Sequence, residues 1–131
     1  MAWIQDDPAR GEATVDLHGY SEDTALALAD RLVAEAYRQG YLTVRFIHGS
    51  AGARSPFKAS YRGEGTIKWG LRQRLARQWR PFLRTRRSPL FQVADASLTV
   101  ALLLNPKADP RVGLGSVPPA DYDVEVRGRA R

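Results

Sequence analysis

Apolar residues recur with helical spacing between residues 25 and 37. At about 100° per residue, Ala25, Leu26, Leu28, Ala29, Leu32, Val33, Ala36 and Tyr37 fall on one half of the wheel. Asp30, Arg31, Glu35 and Arg38 fall on the other. Ser21 is placed as an N-cap, Glu22 and Asp23 suit the positive end of the helix dipole, and Gly40 is placed as the C′ residue. This spacing predicts a helix from Ser21 to Gln39. Ala13–Leu17 alternates weakly and predicts a short strand. Leu42–Ile47 is rich in strand formers and almost wholly apolar, as in a buried central strand. Two strands joined by one helix make a βαβ unit, so they are expected to be parallel.

A second helix is predicted over Thr66–Arg80, with Thr66 as a cap and Pro81 as the stop. Ile67, Leu71, Leu75 and Trp79 share its apolar face. Arg74, Arg77 and Arg80 lie opposite, with Lys68 and Arg72 at the stripe's edge. Leu90–Val93 and Leu98–Leu104 read as two strands joined by a tight turn at residues 94–96. The order β-α-β-α-β-β predicts an α/β protein, a two-layer α/β sandwich with both helices on one sheet face. Residues 1–12 read as a polar lead-in, 13–104 as the domain, and 105–131 as a Pro/Gly-rich basic tail, loosely docked or disordered.

The chain has 131 residues, which fits one domain. It has no cysteine, which excludes a disulfide framework, a thiolate zinc site, an iron–sulfur cluster and a cysteine nucleophile. No apolar run approaches the length of a membrane span, and the N-terminus lacks a signal-peptide pattern. The expected location is the cytoplasm. The formal net charge is +6, but it is unevenly spread. Residues 54–87 carry eleven basic side chains against the single acid Glu64, while residues 1–53 are net acidic. A field so concentrated attracts a polyanion, and nucleic acid is the commonest one.

The only two histidines fall at the C-terminal ends of the two predicted parallel strands, where open α/β sheets bind their ligands. Asp16 and His18 are two apart, so an extended backbone projects both to one face. Each histidine is followed by glycine, at Gly19 and Gly49. The bland alternative is that each histidine is a hydrogen-bonded turn residue and Asp16 merely caps the turn.

These residues also carry a resemblance. Val15-Asp16-Leu17-His18-Gly19 resembles the opening signature of the small MutS-related, or Smr, domain family. Ile47-His48-Gly49-Ser50-Ala51-Gly52 resembles its second signature, and residues 65–72 resemble the start of its second helix. Here the second loop is one residue longer than His-Gly-x-Gly, and the segment before the last strand lacks the family's glycines. The resemblance covers about residues 13–104. It implies a fold similar to the C-terminal domain of bacterial translation initiation factor three, with a mixed four-stranded sheet whose last strand is antiparallel. It also implies nicking of DNA or cleavage of RNA. By that resemblance Asp16 and His18 match the family's cleavage motif, and His48, Gly49 and Gly52 match a loop that binds the phosphate backbone or shapes the site.

The chemistry follows in outline. Two imidazoles and one carboxylate can do acid–base work on a phosphodiester without metal. His18 would be the base, oriented by Asp16, and His48 the acid or phosphate ligand. Arg54, Lys58 and Arg62 would neutralise the phosphate. Lys68, Arg72, Arg74 and Arg77 would hold the backbone without reading sequence. Trp3, Tyr20, Tyr61 and Trp69 are candidates for stacking on bases. No cofactor is required, and a divalent metal, magnesium or manganese, is left open. The expected partner is DNA or RNA, with the ribosome or repair machinery as further candidates, and no membrane. The competing reading is a nucleic-acid or ribosome binding module of the same fold without catalysis. A small-molecule phosphate enzyme lacks its usual glycine-rich loop here.

Overall fold

In the computed structural model the described residues are 3–48, 64–84, 97–119 and 121, with residues 64–66 described in backbone only. The elements are β1 (Trp3–Asp7), β2 (Glu12–Asp16), α1 (Glu22–Arg38), β3 (Thr43–Ile47), α2 (Glu64–Ala76), a 3-10 turn (Arg80–Phe82) and β4 (Ser97–Ala101). They build a mixed four-stranded sheet in the order β1-β2-β3-β4. β2 and β3 are parallel, as the βαβ pattern requires, and both outer pairs are antiparallel. The fold class is therefore the small α/β sandwich expected from the pattern.

α1 forms where its caps place it. Ser21 is extended, and its Oγ accepts from the Thr24 N–H at 3.4 Å. At the other end the N–H of Tyr41 donates to the Ala36 carbonyl and that of Gly40 to the Tyr37 carbonyl. This is a Schellman stop, and it needs the φ of +73° that Gly40 supplies. α1 and α2 pack on one another and on the sheet around a single core. Val15, Val44, Phe46, Leu98 and Val100 supply the sheet side, and Leu32, Val33 and Leu71 are fully buried among them. Each such side chain contributes roughly 1.5–3 kcal/mol over leaving it in water.

Three expectations need correction. Residues 3–7 are an edge strand rather than a lead-in, with Ile4 on the core side. Asp7 and Gly11 close the hairpin: the Asp7 carbonyl accepts from the Gly11 N–H at 2.9 Å, and Gly11 takes a φ of +69°. The second helix ends at Ala76, before the predicted Arg80. A continued helix would drive the Pro81 ring into the Arg77 carbonyl, so the chain turns and re-forms as 3-10. That turn seats Trp79 against Phe46, ring centroids 5.8 Å apart, with its indole N–H on Asp30 at 2.8 Å.

The third correction concerns residues 105–119 and 121, which are docked by specific contacts rather than loose. The Asn105 amide donates to the Tyr37 carbonyl, and the Arg111 guanidinium to the Gly40 carbonyl. Gln39 Oε1 accepts from the N–H groups of Val112 and Gly113. Leu114 is buried, and its N–H donates to Asp6. Asp121 then accepts from Ser21 N–H, Ser21 Oγ and Thr24 Oγ1 at the start of α1. The predicted strand Leu90–Val93 and the loop Ala53–Gly65, apart from the first residues of α2, lie outside the described residues. Among the described residues no helix is long and apolar enough to cross a membrane.

Candidate nucleic-acid site at the strand ends

β2 and β3 end side by side. Asp16 pairs with Ile47 in the parallel register, and the Leu17 N–H donates to the Ile47 carbonyl at 2.8 Å. His18 and His48 therefore leave the sheet at the same edge. Beyond Leu17 the chain reverses at once, with the Tyr20 N–H on the Leu17 carbonyl at 3.3 Å. Gly19 takes a φ of +88°, the left-handed value that the third position of a type II turn requires. The His-Gly pair thus has a backbone cause: glycine makes the turn, and the turn puts His18 at its corner.

His18 Nδ1 lies 2.7 Å from Asp16 Oδ1, and the same oxygen accepts from the His18 backbone N–H at 2.9 Å. A carboxylate only accepts, so Nδ1 carries the proton and Nε2 carries the lone pair. The His18 side chain is 53% exposed, so that lone pair sits on a half-open ring.

His48 differs. It is 5% exposed, and its Nε2 lies 3.2 Å from the Nη1 of Arg72, which is fully buried. A guanidinium only donates, so His48 Nε2 accepts and its proton is on Nδ1. The same Nη1 donates back to the Lys68 carbonyl at 3.3 Å. Lys68 is also buried. The two basic residues expected at the edge of α2's stripe are therefore turned inward, beneath the strand ends. Their spacing of four on the helix puts them on the buried side, next to Ile67 and Leu71.

The other basic residues divide. Arg74 Nε donates to both carboxylate oxygens of Asp30 at 3.0 Å, so it ties α2 to α1 and is not a free phosphate ligand. Arg77, Arg80 and Arg84 are exposed. Gly49, Gly52, Arg54, Lys58 and Arg62 lie outside the described residues, as does Tyr61. Tyr20 is buried, and its hydroxyl donates to the Pro118 carbonyl, which makes it a packing residue. Burial raises its phenol above the usual tyrosine value, with Asp121 adding to the effect. Among the described residues, no three side chains of His, Cys, Asp or Glu gather as a metal-binding group.

The model of the Smr domain family matches residues 15–102, from the strand that carries Asp16 to the end of the sheet. The chain belongs to the Smr domain family. Smr domains are a nuclease-like family that binds nucleic acids, which accords with a basic chain whose half-open histidine stands at the C-terminal ends of the parallel strands. No curated protein and no solved structure matches the chain. The match begins after β1, so the N-terminal strand lies outside the part of this Smr chain that the family model describes. Sequence reasoning missed β1 as an element. Its signal was the turn Asp7-Pro8-Ala9-Arg10-Gly11 between the short run opened by Trp3-Ile4 and the weakly alternating Ala13–Leu17.

Proposed function

We propose that this Smr domain is an endonuclease in which His18 is the general base and Asp16 its positioning residue. One observation carries the reading: Asp16 fixes His18 Nδ1 at 2.7 Å and leaves Nε2 for the substrate on a half-exposed ring. On RNA, Nε2 takes the proton of a 2′-hydroxyl, whose oxygen attacks the adjacent phosphorus. The 5′ oxygen leaves and takes a proton from water, giving a 2′,3′-cyclic phosphate. The imidazolium that forms on His18 is stabilised by the Asp16 carboxylate. On DNA the nucleophile would be water, which leaves the same base in place.

His48 takes a different role from the one its sequence position suggests. Its Nε2 is occupied by Arg72 and its ring is buried, so we assign it to positioning the strand end rather than to proton transfer. Arg77, Arg80 and Arg84 supply exposed positive charge for the backbone. A second reading keeps the binding and drops the catalysis. Asp16 Oδ1 also accepts from the His18 backbone N–H, a bond that a simple turn would make.

Cleavage of labelled single-stranded RNA, single-stranded DNA and duplex by native protein and His18→Ala separates the two. The endonuclease reading expects cutting by the native protein, retained in EDTA, and lost in His18→Ala at unchanged binding. Binding without cutting leaves the binding module, and equal cutting by His18→Ala removes His18 as the base.

A further inference from the structure

The helices cover one face of the sheet, and the other face holds three rows of side chains set by the strand register. The row at the strand-end edge is Trp3, Asp16, Ile47 and Ser97. The middle row is Gln5, Thr14, Arg45 and Thr99. The far row begins with the acids Asp7 and Glu12. Ile4 packs on the core, so alternation puts Trp3 on this open face. Trp3 is 38% exposed and is the direct cross-strand partner of Asp16. Side chains so paired have Cβ atoms about 5 Å apart. An exposed indole thus stands one strand away from the carboxylate that holds His18.

We propose that Trp3 is a stacking platform for an unpaired nucleobase, and that the substrate of this edge is single-stranded nucleic acid. The proposal rests on the placement of the site at Asp16 and His18. An indole offers a broad π-face to any base, and stacking needs no sequence match. In a duplex each base face is already covered by its neighbours, so only an unpaired base can lie on Trp3. The chemistry of the rows sets the path. The edge row sets the Trp3 indole and Ile47 beside Ser97 and Asp16, whose carboxylate is bound to His18, and the middle row is polar and includes Arg45, whose Nε donates to Ser97 Oγ at 3.0 Å. The acids of the far row, about 13 Å from Trp3 along the strand, repel a phosphate backbone. A strand is therefore kept to the edge that carries His18, with a base on Trp3 and the neighbouring phosphate toward the imidazole.

The test is binding of end-labelled single-stranded RNA, single-stranded DNA, their duplexes and a strand with abasic positions, read by fluorescence anisotropy with the full chain. Trp3→Ala should weaken single-strand binding about tenfold and leave the abasic strand and the duplex unchanged. Trp3→Phe, which keeps an aromatic face, should restore most of the loss. Equal arms for RNA and DNA mean that the base alone is read, and a loss confined to one sugar type assigns that strand as the ligand. Native affinity in Trp3→Ala, or an equal loss on the abasic strand, overturns the stacking platform. The two readings fail separately. If His18→Ala cuts normally while Trp3→Ala still loses base-dependent binding, the catalytic assignment falls and the platform stands.

Discussion

Replacing Asp16 with Asn separates the charge of this side chain from its shape. Asp16 Oδ1 receives two hydrogen bonds, from His18 Nδ1 at 2.7 Å and from the His18 N–H at 2.9 Å. The amide oxygen of Asn can keep the backbone bond, so the turn survives and stability falls by less than about 1 kcal/mol. The chemistry loses more. Once His18 Nε2 has taken a proton the ring is cationic, and the carboxylate is its counter-charge. A hydrogen bond to a charged group is worth about 1.5–3 kcal/mol, which is a rate loss of roughly 10- to 150-fold. Water reaches the half-exposed ring and screens the pair, which places the effect toward the lower end, near tenfold. The assay is single-turnover cleavage of an end-labelled RNA, with thermal unfolding of both proteins beside it. A rate drop at an unchanged unfolding midpoint is the expected result. Cleavage at the native rate would refute the positioning role. A loss restored by excess manganese would make Asp16 a metal ligand instead.

The remaining expectations concern the described surface and the docked tail. Leu114→Ala should cost about 2–4 kcal/mol by chemical denaturation, because the side chain is buried, whereas a loose tail would give almost nothing. Asp121 is partly desolvated, which raises its carboxyl, but the hydrogen bonds from Thr24 and Ser21 together outweigh this and hold it below the usual value. Its contribution is therefore complete above the ordinary aspartate pKa of about 3.9 and fades as pH falls through the depressed folded value. The gap in unfolding midpoint between native protein and Asp121→Asn should accordingly close in acid. Arg77→Gln and Arg80→Gln should each reduce the salt slope of nucleic-acid binding by about one, measured as log affinity against log salt. Arg74→Gln should leave that slope unchanged, since Asp30 already holds its guanidinium.

What was legible in the sequence is what short-range chemistry decides. Ser21 and Gly40 bound α1 because a cap oxygen and a left-handed φ are demands of the backbone itself. The parallel pairing of β2 and β3 follows from one intervening helix. The tail escaped the same reasoning because its partners are distant. Gln39, Gly40 and Asp6 satisfy backbone and side-chain groups of residues 111–114, and nothing in a Pro/Gly-rich run announces this. Lys68 and Arg72 escaped it for a related reason. A helical wheel places them at the edge of the stripe, but only the packed strand end tells that His48 lies there to receive Arg72.

The two histidines make the same point about the site. In sequence they are alike, each closing a strand and each followed by glycine. In the fold one stands on a turn corner with a carboxylate at its back, and the other is buried with a guanidinium at its face. Their neighbours hold opposite ends of the two rings: a carboxylate fixes His18 Nδ1 and leaves Nε2 open, whereas a guanidinium takes His48 Nε2. In the proposed mechanism, proton transfer at the substrate therefore falls to His18. A single general base suffices when the substrate brings its own nucleophile, as a 2′-hydroxyl does, and it suffices less well when water must be positioned and deprotonated. On that ground the proposed mechanism needs the fewest parts when its substrate is RNA.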